Sequence, residues 1–124
     1  MRILSVALAS VALMLAEITD FSDVRYDYPP SESGKVEKTD GMLHMDTSEK
    51  ILSFTSGNRA LIHIRYEQIR EVVYEQGNDH LLTIYFRPGG ARDASRFRLR
   101  GPNRTEILRR LNTQMPQSVT RTGF

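Results

Sequence analysis

The sequence predicts a mainly β domain, a small antiparallel sandwich or open barrel, closed by one C-terminal α-helix. Three observations predict it. Short apolar–polar alternations punctuated by turn residues run from Gly41 to Arg100. A helical apolar stripe follows at Ile107, Leu108, Leu111 and Met115. Finally, 124 residues with no Cys or Trp, 40% hydrophobic and 26% charged, amount to one ordinary soluble domain. That profile excludes a collagen-like repeat, a coiled coil and disorder throughout. The missing cysteine excludes disulfides, a thiol nucleophile and a lipid-modified N-terminal Cys, so stability rests on packing.

At the start, Arg2 is followed by fourteen uncharged residues, Ile3 to Ala16, and then by Glu17, Asp20 and Asp23. A positive end, a short apolar run and small residues make an export signal, 1–16, with cleavage expected after Ala16, or after Ala12 if Met14 is too large for the −3 position. Fourteen helical residues reach only about 21 Å against the roughly 30 Å of a bilayer core. An uncleaved membrane anchor and a buried element of the mature domain are the competing readings. The expected destination is periplasmic or secreted.

Residues 17–40 are polar, contain Pro29-Pro30 and Ser31-Glu32-Ser33-Gly34, and show no sustained period; they read as a flexible linker. Tyr26 and Tyr28 could instead add an edge strand to the domain. The domain itself is expected over 41–116, with 117–124 as a disordered tail. Six strands are drafted: Gly41–Asp46, Lys50–Thr55, Ala60–Arg65, Ile69–Glu75, His80–Arg87 and Ser95–Arg100. Gly57-Asn58 and Gly77-Asn78-Asp79 supply turns that tolerate positive φ. For the helix, Asn103 is the expected N-cap with Glu106 in capping-box position, Pro102 before it and Pro116 after its end.

The run Gly41-Met42-Leu43-His44-Met45, then Ile51-Leu52-Ser53-Phe54, then Ile64-Arg65-Tyr66-Glu67-Gln68-Ile69 resembles pleckstrin-homology-like and GRAM-like domains of small exported bacterial proteins. Arg65 stands where that pattern often has proline. Leu82-Thr83-Ile84-Tyr85-Phe86, Phe97-Arg98-Leu99 and the terminal helix continue the resemblance to about residue 115. It implies a pleckstrin-homology-like β-sandwich or open barrel capped by the helix, and no catalytic residues. In that frame Tyr66 and Ile69 turn inward at a corner between strands while Arg65, Glu67 and Gln68 stay in water.

Candidates for chemistry are few. His44, His63 and His80 belong to no metal-ligand motif, no Gly-x-Ser-x-Gly elbow occurs, and Gly89-Gly90 lacks the rest of a phosphate-binding loop. No metal, cofactor or enzymatic activity is expected.

Charge is the remaining signal. Residues 17–86 hold 7 Lys/Arg against 13 Asp/Glu, whereas 87–124 hold 9 Arg against only Asp93 and Glu106. In Arg96-Phe97-Arg98-Leu99-Arg100, period two puts three guanidinium groups on one face, and Arg87 on the preceding strand could join them. Arg87, Arg96, Arg98 and Arg100 are therefore the candidate ligand-binding residues, for anionic lipid headgroups, cell-wall polymers or an acidic protein. Glu67, Glu71, Glu75 and Asp79 are the expected partial neutralisers if that face is merely solvated. Nucleic acid is not an expected partner, because no exposed aromatics are interleaved. The alternative to anion docking is pairing at an exposed strand edge, with a partner protein or a second copy.

Overall fold

The computed structural model describes residues 18–27, 38–87 and 93–124. The predicted export segment lies outside the described residues, as does the stretch 28–37. Eight strands form among the described residues: β1 (Ile18–Asp27), β2 (Lys38–Asp46), β3 (Ile51–Ser56), β4 (Arg59–Arg65), β5 (Ile69–Glu75), β6 (Leu81–Phe86), β7 (Asp93–Leu99) and β8 (Thr120–Thr122). One helix, α1 (Asn103–Gln114), lies between β7 and β8. The fold is mainly β with a C-terminal helix, and β2 to β7 correspond to the six drafted strands.

The strands form one open sheet, in the order β4-β3-β2-β1-β7-β6-β5-β8. Curvature does what a second sheet would have done. β2 and β1 lie between β3 and β7, so a flat sheet would hold Phe54 and Phe97 about 14 Å apart at roughly 4.8 Å per strand. Their ring centroids are 5.7 Å apart, and Tyr26 of β1 touches both, at 5.8 and 5.5 Å. The sheet is bent around these three rings. Leu43, Met45, Leu52, Ile64, Ile69, Val72, Leu82 and Ile84 fill the same concave side, all fully buried.

The bend needs a gap in β2, and Gly41 supplies it. A Cβ there would lie 2.2 Å from the Thr55 carbonyl oxygen and 2.7 Å from the tip of the Phe54 ring. No side chain fits between that backbone and that ring.

β1 is a correction, because the expected linker contains a central strand. Phe21, Val24 and Tyr26 all turn inward, at a spacing of three and then two. A regular strand cannot do this. The pairing with β2 moves from Phe21↔Leu43 to Val24↔Gly41, so β1 carries one extra residue across Ser22-Asp23, and Asp23 takes a φ of 63°. The bulge restores the inward face and hides the period from a sequence reading.

The bulge also positions the helix. Asn103 was expected to cap α1 through its side chain, but Pro102 occupies the cap and the Asn103 amide donates to the Ser22 carbonyl at 2.7 Å. Glu106 likewise serves no capping box; it accepts from Arg109 Nε at 2.9 Å and from Arg110 Nε at 3.0 Å. Arg110 in turn lies over the Phe21 ring, 5.9 Å from its centroid. Ile107, Leu111 and Met115 are buried and Leu108 is partly so, as the stripe predicts. Tyr66 and Ile69 turn inward at the corner after β4, with Tyr66 donating its backbone N–H to Lys50. Burial, and secondarily Asp46, push the Tyr66 phenol up to about 12 against the opposing pull of Arg110.

The last correction is the tail. After Pro116, Val119 is buried and Thr120–Thr122 pairs in parallel with β5. Three residues are too few to display a period, so nothing in the sequence marks β8.

Two expectations follow. Gly41→Ala should lower stability by about 2 kcal/mol, roughly 10 °C in Tm, because overpacking a tight core costs about 1–3 kcal/mol; an unchanged thermal midpoint would refute the bent-sheet account. The Arg109 hydrogen bond, with help from Arg110, holds the Glu106 carboxyl down to about 2 from an ordinary 4.5. A depressed carboxylate adds stability above its unfolded value and loses it as pH falls through the folded one. Glu106→Gln should therefore be the less stable protein at pH 7, with the difference shrinking between pH 4.5 and 2 in urea titrations.

Candidate functional site

β7 carries the predicted arginine alternation, and the structure preserves it. Phe97 and Leu99 are buried in the core, which turns Arg96, Arg98 and Arg100 to the outer face of the sheet. β1 runs antiparallel beside them with Arg25 opposite Arg98 and Asp27 opposite Arg96. The outer face therefore holds a fourth guanidinium and a carboxylate that a linker reading of β1 could not have placed there.

Most of this charge is spent internally. Arg98 Nε donates to Asp27 Oδ2 at 2.8 Å, with the two side chains only 16% and 6% exposed. The same guanidinium donates through Nη1 to the Asn78 carbonyl at 3.1 Å and lies 3.5 Å from Asp79. Arg98, standing on β7, thus ties β1 on one side to the β5–β6 turn on the other. Asp40 is shared by Arg25 at 3.2 Å and Arg100 at 3.9 Å. Arg96 has no ion-pair partner among the described residues.

Of the four acidic residues expected to neutralise this face, Asp79 reaches it, 3.5 Å from Arg98. Asp27 and Asp40 do the rest. Both lie within the segment expected to be a linker, and the signal that could have found them is the short alternation Val24-Arg25-Tyr26-Asp27.

Arg87 does not join the others. Thr83 is the β6 partner of Arg96, and Arg87 lies four residues further on, about 13 Å along the strand. It sits instead beside Arg70, at the start of β5.

The histidines do not converge. Asp20, His44, Ser53 and His63 form one row across β1 to β4. In that row His44 Nδ1 is 2.6 Å from Asp20 and Nε2 is 2.7 Å from the Thr55 hydroxyl. An ionised Asp20 only accepts, so Nδ1 carries a proton toward it, and in the neutral imidazole Nε2 accepts from Thr55. His80 lies elsewhere, hydrogen-bonded to the Tyr74 hydroxyl at 2.7 Å. Among the described residues no group of three or more His, Asp or Glu side chains is placed to hold a metal ion.

The two edges of the sheet are unequal. β8 covers β5 on one side, whereas on the other β4 is the terminal strand, seven residues long, with no strand beyond it among the described residues. Arg59 and Arg65 are exposed at its two ends, and His63 is exposed between them. Arg65 approaches Glu67 only at 3.9 Å with both side chains mostly in water, an arrangement worth little energy.

Comparison with protein-family models and with curated proteins gives no match, so the functional reading is built on this geometry. No helix among the described residues is long and apolar enough to cross a membrane.

The Arg98–Asp27 pair makes a sharp expectation. Arg98→Gln strands a buried carboxylate and should cost on the order of 3 kcal/mol, whereas Arg96→Gln should stay within about 0.5 kcal/mol of the parent. Equal urea midpoints for the two variants would show that Arg98 is not a structural tie.

Proposed function

We propose that the chain is a non-catalytic interaction module of the cell envelope, and that it captures an acidic extended segment of a partner protein as an added strand beside β4. The observation that carries this reading is the unequal pair of edges. On one side the edge strand is β8, only three residues long and too short to template much pairing, while β4 offers a row of backbone donors and acceptors flanked by Arg59 and Arg65. Backbone hydrogen bonds supply affinity in strand addition, and flanking charges supply selectivity.

Charge also argues about which strand would pair. A second copy added antiparallel about Ile62 would set Arg59 against Arg65 twice, and directly opposed like charges are unfavourable. An acidic strand meets the same two arginines favourably. The envelope location rests on the export grammar of residues 1–16. The strand order with its terminal helix supports the pleckstrin-homology-like reading of the domain.

A second reading, docking on an anionic surface through the arginine face, is favoured by Arg96, which lacks an ion-pair partner among the described residues, and by Arg100, whose side chain is 39% exposed. Arg98 would then brace the face without touching the ligand.

One set of titrations separates the readings. A synthetic eight-residue peptide alternating Glu with Val should shift the backbone amides of Arg59–Arg65 in nuclear magnetic resonance spectra. Arg59→Glu with Arg65→Glu should weaken that binding at least tenfold. Sedimentation with phosphatidylglycerol vesicles, lost in Arg96→Gln with Arg100→Gln and retained in the β4 variant, would instead select the second reading. A concentration-dependent mass in light scattering that the β4 variant abolishes would select pairing between copies.

A further inference from the structure

We infer that the cavity between the start of β5 and the end of β6 is a binding site for a small phosphate monoester, held by Arg70, Arg87 and Thr120. The cavity measures about 450 Å³ and is lined by those residues and Glu71, a size within the usual range of small-molecule sites, about 300–1,000 Å³. It lies apart from both the β4 edge and the β7 arginines.

A β-bulge builds it. Pairing between β5 and β6 moves from Ile69↔Phe86 to Glu71↔Tyr85, so Arg70 is the extra residue. Ile69 and Val72 both remain buried, which turns Arg70 and Glu71 outward together, and bulges re-aim side chains in this way. Arg70 Nη1 donates to the Glu67 carbonyl at 2.7 Å and to the Ile69 carbonyl at 3.3 Å. Those bonds fix the guanidinium and leave Nε and Nη2 for a ligand.

Arg87 arrives from the neighbouring strand. Its backbone N–H donates to Gln68 at 2.9 Å, which holds the end of β6 against the corner, and its guanidinium has no partner among the described residues. Thr120, opposite Glu71 in the β5–β8 pairing, adds a hydroxyl donor. Glu71 is engaged in an interaction of its own, and one carboxylate against two guanidiniums leaves the site cationic.

Two guanidinium forks and a hydroxyl match the several oxygens of a tetrahedral phosphate better than a single carboxylate. The cavity is larger than a bare phosphate needs, so the remaining volume takes the organic part of an ester.

Nuclear magnetic resonance titration of the intact chain with glycerol 3-phosphate, inorganic phosphate and glycerol at fixed ionic strength tests this. Saturable shifts centred on Arg70, Glu71, Arg87 and Thr120 are expected with glycerol 3-phosphate, weaker ones with inorganic phosphate and none with glycerol. Arg87→Gln should raise Kd at least fivefold. Arg70→Lys, which keeps the charge but loses the fork, should do the same, and Arg104→Gln should change nothing. Equal losses in all three variants, or no saturation, would overturn the site. Phosphate binding without ester binding would overturn the ester assignment. The β4 charge-reversal variant should bind glycerol 3-phosphate normally, so this site can fail or stand independently of the strand-capture reading.

Discussion

Three aromatic rings, Tyr26, Phe54 and Phe97, set the shape on which everything else depends. They come from strands that a flat sheet would hold apart, and their mutual contact obliges β1 and β2 to curve between them. Large aromatic side chains carry much of the apolar area a small domain can bury, so the bend and the core are one event. Gly41 is its necessary complement, since the ring of Phe54 occupies the volume a side chain would need. Curvature also gives the sheet a concave side wide enough for α1 to cover, with Ile107 and Leu111 completing the core.

The same curvature decides what the convex side can do. With Phe97 and Leu99 turned inward, three arginines must stand outward on one strand, and like charges so close would repel. The fold answers with carboxylates from β1 and β2. Asp27 is nearly buried and bonded to Arg98, and desolvation offsets much of the attraction in such a pair. Its value is therefore positional: it fixes β1 against β7 and reaches the β5–β6 turn. A face that looks like a ligand platform in the sequence is, for the most part, internal bracing. Arg96 and Arg100 keep the clearest claim to outside partners.

What was legible in the sequence follows from this physics. β2, β3, β6, β7 and α1 were readable because their apolar residues recur with an unbroken period, two in the strands and 3.6 in the helix, and β4 and β5 because turn residues bound them despite a register shift in each. β1 was not, because the extra residue at Ser22-Asp23 sets Phe21 out of step with Val24 and Tyr26. Losing β1 also hid the partners of the arginines, since Asp27 and Asp40 lay in the segment read as a linker. The helix cap failed for a tertiary reason: the Ser22 carbonyl, reached only in the folded sheet, takes the Asn103 amide. Arg70 carries no signal in the sequence because a bulge, which no local pattern announces, places it beside Arg87.

The tail after Pro116 links the remaining features. By pairing with β5, β8 makes one edge of the open sheet a strand of only three residues, and very short edge strands resist further pairing. β4, seven residues long, is thereby left as the longer of the two terminal strands among the described residues. In the same step Thr120 comes to stand opposite Glu71, beside the bulge that turns Arg70 outward. A segment of a few residues thus shortens one edge and furnishes a wall of the cavity. The asymmetry of the molecule follows: the long β4 edge and the cavity beside β5 lie toward opposite ends of the curled sheet, and its middle is committed to holding the curl.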